Sequence, residues 1–135
     1  MSAELRAAGL KVRREVLGAD YVDANLAAAA TDPLVADFQE LVTEYCWGAS
    51  WTRSALSRRD RSLLNLVMLG CLNRGDEFEL HLDGATTNGC TREEITDTLI
   101  HLSVYAGIPA GVEAFRRARK VFAELDSADL GGGEQ

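Results

Sequence analysis

The stretch LNRGDEFELHL, Leu72 to Leu82, holds an arginine, two glutamates and one of the two histidines in the chain. Arg74, Glu77 and His81 fall at i, i+3 and i+7, so on a helix they project from one face. An imidazole titrates near neutrality and can act as a general acid or base. A carboxylate one turn earlier is spaced to hydrogen-bond it, which would fix its tautomer and favour its protonated form. Arg74 adds a fixed positive charge near the start of the same helix, where the helix terminus itself attracts anions. Together the three could hold a carboxylate and deliver a proton. The same spacing also describes an ordinary Glu–His surface pair behind a solvated arginine, and spacing alone does not choose.

Other residues offer related chemistry. LSRRDRSL places Arg58 and Arg61 at i, i+3 at the start of an apolar helix. Arginine grips carboxylates bidentately, although arginines beside an apolar helix are also often paired structurally. Asp97, His101 and Tyr105 form a second polar stripe at i, i+4 and i+8, in which the histidine reads as a satisfied structural group or a site residue. YCWGASW supplies Trp47 and Trp51, aromatics of a core or interface more often than of a substrate wall. The chain has no G-x-S-x-G, no phosphate-binding glycine loop and no His-x-x-x-His pair. A lone His-plus-carboxylate pair is a weak metal signal, so no metal ligand set is expected.

These side chains need helices to carry them. Leu5–Leu17 reads as a first helix closed by Gly18, and ADYVDANLAAAA as a short second one. Asp32 and Pro33 give a cap and first position for a helix with the apolar stripe Leu34, Phe38, Leu41 and Tyr45, ending near WGAS. Ser57 and Asp60 resemble a capping box for a helix through Leu72. Its second half is apolar almost all round, which suits either a central core helix or one packed partly against another subunit. Gly75 permits a break before DEFELHLDGATTNG. Thr91 and Glu94 form a standard capping box ahead of a helix with Ile95, Leu99 and Leu102 on its core face. Pro109 can open the last helix, with Phe115, Ala118, Phe122 and Leu125 inward and Arg116, Arg117, Arg119 and Lys120 mostly outward.

No strand pattern or internal repeat appears, so the fold class is all-α with about six helices. The 135 residues suit a single helical domain over 1–125 with one core, followed by a flexible tail at 126–135. The formal charge of −7 argues against nucleic acid while allowing a small anionic substrate in a local basic pocket. Three widely spaced cysteines without a CxxC read as reduced thiols in a cytoplasmic protein, packed as small core residues. The N-terminus lacks a signal-peptide apolar region, and LLNLVMLGCL is too short to span a bilayer, so no membrane partner is expected.

The ordered set WGASWTR, RDRSLLNLVMLGCLNRGDEFELHLDGATTNGCTREEI and VYAGIPAG resembles the carboxymuconolactone decarboxylase family across nearly the whole chain. Each piece alone is weak; their order is specific. The resemblance implies an alkylhydroperoxidase-D-like helical fold assembled as a homo-oligomer, a hexamer or trimer. The sister peroxidase branch carries C-x-x-C-x-x-x-H, and the matching positions here are Arg74, Glu77 and His81. Both redox cysteines are replaced while the histidine stays, which speaks against a thiol peroxidase and for a site wall at the opening stripe.

The implied reaction is cofactor-free loss of carbon dioxide from 4-carboxymuconolactone, a small anionic lactone, giving 3-oxoadipate enol-lactone in the protocatechuate branch of the β-ketoadipate pathway. The departing carboxylate sits on a carbon conjugated through a double bond to the lactone carbonyl, so the electrons left behind delocalise as a dienolate. On this resemblance His81 is the proton donor or oxyanion partner, tuned by Glu77. Arg61, Arg58 or Arg74 binds the retained acetate arm or the lactone oxygen, because gripping the departing carboxylate would stabilise the ground state. Tyr105 and His101 line the pocket, and Trp51 forms an apolar wall. The competing readings are a related decarboxylase or lactone-processing enzyme with another substrate, and a non-catalytic oligomeric binding protein of the same fold.

Overall fold

The computed structural model describes residues 2–132, which form an all-α protein with no strand among them. Seven α-helices and one π-helix follow in order: α1 Ala3–Leu17, α2 Ala19–Ala30, α3 Pro33–Leu41, the π-helix Val42–Ser50, α4 Arg58–Cys71, α5 Gly75–Thr87, α6 Arg92–Ala106 and α7 Ile108–Gly132. The chain divides into two compact units, Met1–Arg61 and Ser62–Gln135. Each has its own buried apolar cluster, where the length suggests one core.

In the first unit the helix ends follow local signals. The Ser2 hydroxyl accepts from the Leu5 amide to open α1. Gly18, at φ 96°, closes it with its amide on the Arg14 carbonyl. Asp32 accepts from the Leu34 amide, and Pro33 occupies the first turn of α3, as the sequence predicts. Beyond Leu41 the chain continues as π-helix, a wider coil that no local sequence rule announces. It packs against α1 through glycines. A methyl at Gly9 would overlap the Thr43 carbonyl and the Gly48 backbone, and one at Gly48 would overlap the Leu5 carbonyl. Val12 and Val16 pack with Trp47 and Trp51, whose rings stack at 4.8 Å. Arg13 is buried yet bonded only to neutral groups among its hydrogen bonds here, Thr43 Oγ1 at 3.1 Å and Gln39 Oε1 at 2.8 Å. Burial pulls its pKa below the usual arginine value. The stripe Leu34, Phe38, Leu41 and Tyr45 exists as read, but its side chains are exposed.

The second unit packs around Leu66, Phe78, Leu82, Ile95 and Leu99, with Ala114, Ala118 and Val121 from α7. Fully burying each large apolar side chain contributes about 1.5–3 kcal/mol. The Thr91–Glu94 capping box forms reciprocally at the start of α6. Gly107, at φ 106°, turns α6 into α7. The break before α5 uses Asn73, which takes the left-handed conformation at φ 58°. Gly75 serves a different need, since a methyl there would overlap the Arg117 guanidinium. Arg117 is not outward: it reaches Glu79 at 2.5 Å, Glu113 at 2.8 Å and Asp76 at 3.4 Å.

Two further expectations meet a different geometry. Within this chain α4 is not buried all round, because Leu66 is fully buried while Leu64 and Met68 are exposed. The last helix does not stop at Leu125. It runs on to Gly132, with Arg92 holding Asp126 at 2.5 Å and lying 4.4 Å over the Phe122 ring. Residues 133–135 of the expected tail lie outside the described residues. None of the cysteines is in a disulfide: Cys90 is buried, Cys46 half-buried, and Cys71 exposed rather than a core residue. Among the described residues no helix is long and apolar enough to cross a membrane.

Candidate active site

His81 lies in the middle of α5, between Phe78 and Leu82, both buried in the core. Its position one step off the core stripe leaves the ring half-buried. Across from it, the apolar part of α4 beyond Arg61 presents two polar side chains three residues apart, Ser62 and Asn65. The Asn65 amide nitrogen stands 3.3 Å from His81 Nδ1. Ser62, fully buried, accepts from the Asn88 amide nitrogen at 2.9 Å just past the end of α5. The two bonds make a polar seam between antiparallel α4 and α5, and they satisfy groups that would otherwise cost stability in an apolar interior.

Burial dominates the electrostatics of His81. Loss of hydration pushes its pKa down to about 4, and the negative charge of Glu77 one turn earlier raises it only in part. The spacing predicts the Glu77–His81 coupling, but its effect is not to keep the imidazole charged. At neutral pH the ring is neutral, with one proton to place on one of its two nitrogens.

The remaining candidate residues sit on several elements, in both units. Glu77 is exposed, on the same face of α5 as His81. Arg74 is the N-cap residue of α5, seven residues and about 10 Å of helix rise from His81. It is exposed and lines a cavity of about 140 Å³ with Leu69, Asn73, Phe78 and Arg117. His101 and Tyr105 lie against each other with their rings tilted by 43°, centroids 4.8 Å apart, on the exposed face of α6. In the first unit, Trp51 is buried against Trp47 as a core residue, and Arg58 is bound to Glu15 at 2.6 Å. Arg61 donates through Nη2 to the Arg53 carbonyl at 3.1 Å, while its buried Nε has no hydrogen-bond partner among the described residues. Among the described residues no group of three or more His, Cys, Asp and Glu side chains is placed to hold a metal ion.

Asn65, Ser62 and Asn88 are the residues that the sequence reading misses. The signal for Ser62 and Asn65 is present in SLLNLVMLG, where two polar residues at i, i+3 interrupt an apolar run on one face and so require partners.

Residues 36–120, spanning the seam and most of the second unit, match the carboxymuconolactone decarboxylase family. The chain belongs to that family. Within it, the chain is 38% identical over 120 residues to the 4-carboxymuconolactone decarboxylase of Acinetobacter baylyi, covering 89% of this chain and 88% of that one. It is 39% identical over 117 residues to the nitrosuccinic acid decarboxylase of Metarhizium robertsii, covering 87% and 80%. An uncharacterized 15.0 kDa protein of Paracoccus denitrificans is 28% identical over 99 residues, covering 72% and 74%. The two relatives with a stated reaction are both decarboxylases, which supports a carboxy-lyase here, and they differ in substrate.

Proposed function

We propose that the chain decarboxylates 4-carboxymuconolactone to 3-oxoadipate enol-lactone without an added cofactor. The observation that carries this reading is 38% identity over 89% of the chain to a relative named for that activity. The reaction cleaves the bond from the ring carbon to its carboxyl group. The bonding pair moves through the ring double bond into the lactone carbonyl, carbon dioxide leaves, and one proton is taken up at carbon. The substrate supplies its own electron sink, so the protein has to hold the retained acetate arm, stabilise oxygen as it becomes negative, and return the proton.

His81 suits the second task. A neutral, half-buried imidazole in a poorly hydrated setting stabilises a developing oxyanion by donating a hydrogen bond, without adding a full charge that would favour the substrate carboxylate in the ground state. Arg61 is the arginine best suited to the retained carboxylate, because its buried Nε has hydrogen-bonding capacity unspent within the described residues. Arg58 is engaged by Glu15, and Arg74 is the second choice.

The second reading rests on the 39% identity to a nitrosuccinic acid decarboxylase. Nitrosuccinic acid and 4-carboxymuconolactone share a chemical feature. In each, a carbon bearing a carboxyl group also bears a carboxymethyl arm and an electron sink, a nitro group in one and a conjugated lactone in the other. Loss of that carboxyl leaves a nitronate or a dienolate, and in both the new negative charge sits on oxygen. The same oxyanion donor and the same arm-binding arginine serve either acid, so the two readings differ in the shape of the pocket around the sink.

The assembly proposed is a homo-oligomer. Leu34 and Phe38, Leu64, Met68 and Leu72, and Val104, Tyr105, Ile108 and Val112 leave three exposed apolar faces, more than isolated surface residues explain. Light scattering of the purified protein tests it, and a monomer at micromolar concentration would refute it.

The deciding experiment supplies each acid to purified protein with a chelator present and follows carbon dioxide and product, with His81→Gln and Arg61→Gln in parallel. Turnover of the lactone that His81→Gln loses and Arg61→Gln weakens through KM supports the first reading. Turnover of nitrosuccinic acid alone transfers the assignment to the second. Turnover of neither acid by folded protein removes both.

A further inference from the structure

We propose that Asn65 is a positioning residue that holds His81 in the tautomer with its proton on Nε2. The inference deepens the proposed decarboxylase reading and rests on it for its consequence, but its geometric basis is separate.

The atom of Asn65 placed 3.3 Å from His81 Nδ1 is the amide nitrogen. An amide nitrogen only donates, so Nδ1 must accept. A neutral imidazole carries one proton, which then belongs on Nε2. The neighbouring tie from Asn88 to buried Ser62, at 2.9 Å, fixes the register of α4 against α5, so Asn65 cannot drift along the helix away from the ring. Leu66, fully buried beside Asn65, and Leu82, fully buried beside His81, lock the two backbones on the core side. Burial keeps the ring neutral at physiological pH, which makes the choice of nitrogen meaningful.

The consequence is a choice between two roles. With Nε2 protonated, His81 offers a hydrogen bond to the oxygen that gains charge as carbon dioxide departs. With Nδ1 protonated, Nε2 would be a bare acceptor suited to taking a proton, a task the bond cleavage does not set. Asn65 thus selects the oxyanion donor without touching substrate.

The test is nitrogen-15 NMR of the full chain at pH 7, reading which imidazole nitrogen of His81 is protonated, with His81→Gln to assign its signals. Wild type is expected to show protonated Nε2 and bare Nδ1. Asn65→Asp puts an acceptor in place of the donor, so the neutral ring's single proton moves from Nε2 to Nδ1 and leaves Nε2 bare. On the turned-over acid, kcat should fall at least about tenfold with KM held within about twofold. Should Asn65→Asp fail to fold, Asn65→Ala replaces it and is expected to give a mixture of tautomers. A wild type with protonated Nδ1 overturns the proposal, as does a tautomer that the folded Asn65 variant leaves unchanged. If wild type shows the expected tautomer but turns over neither acid, the substrate assignment fails and the positioning role of Asn65 stands.

Discussion

The sharpest physical consequence of the seam is that His81 should make the protein sensitive to mild acid. Burial holds the folded-state pKa at about 4, against about 6.5 for a histidine in an unfolded chain. The unfolded state therefore binds the proton first, so protonation favours unfolding. The sign follows: stability is full above pH 6.5 and is lost as pH falls toward 4. With those two values the loss between pH 7 and pH 5 is about 2 kcal/mol, and the limit well below pH 4 is about 3 kcal/mol. Water reaching the half-buried ring would reduce both. The assay is urea unfolding of wild type and His81→Gln at pH 7 and pH 5, at one protein concentration. Glutamine keeps a polar group on the seam and cannot titrate, so subtracting its pH response removes every other group. Wild type is expected to lose about 2 kcal/mol more than the variant across that interval. Equal losses would mean the imidazole is not held neutral by burial, and the oxyanion-donor argument would lose its electrostatic basis.

Three stability predictions accompany it. Gly48→Ala forces a methyl onto the Leu5 carbonyl where the π-helix crosses α1, so unfolding free energy should drop by about 1–3 kcal/mol, read by urea titration. Leu66→Ala empties a fully buried position in the second core and should cost about 2–5 kcal/mol, seen as a lower denaturation midpoint with the slope unchanged. Glu79 is tied to Lys120 at 2.8 Å and to Arg117 at 2.5 Å, and the hydrogen bond from Lys120 chiefly holds its carboxyl below the usual range. Glu79→Gln should therefore lose about 1 kcal/mol at pH 7. Because this stabilisation exists above the unfolded carboxyl pKa and disappears as pH falls through the folded one, the gap from wild type should close in acid.

What the sequence revealed and what it hid have different physical origins. Caps are local: Asp32–Pro33, Gly18 and the Thr91–Glu94 box act within one turn of themselves, so the residues that make them also announce them. The Glu77–His81 coupling is local in the same sense, being one turn of α5. The sign of its outcome was not legible, because desolvation of His81 depends on how deeply α5 sinks between its neighbours, which no i, i+4 spacing encodes. The π-helix was hidden for a related reason. Its sequence VTEYCWGAS suits an ordinary helix, and the departure goes with the close approach of Gly48 to α1, thirty-nine positions from Gly9. Arg117 illustrates the converse. It sits in a run of basic residues that reads as a solvated face, yet it turns inward because Gly75, on a different helix, leaves room for its guanidinium and Glu79 supplies a partner. Asn65 lies between these cases. A polar residue within an apolar stretch of helix states that a partner must exist, since burying it unpaired costs about 1–3 kcal/mol. It does not name that partner. The functional claim about His81 depends on that missing half, since an imidazole facing a donor and one facing an acceptor have the same sequence around them and opposite chemistry at Nε2.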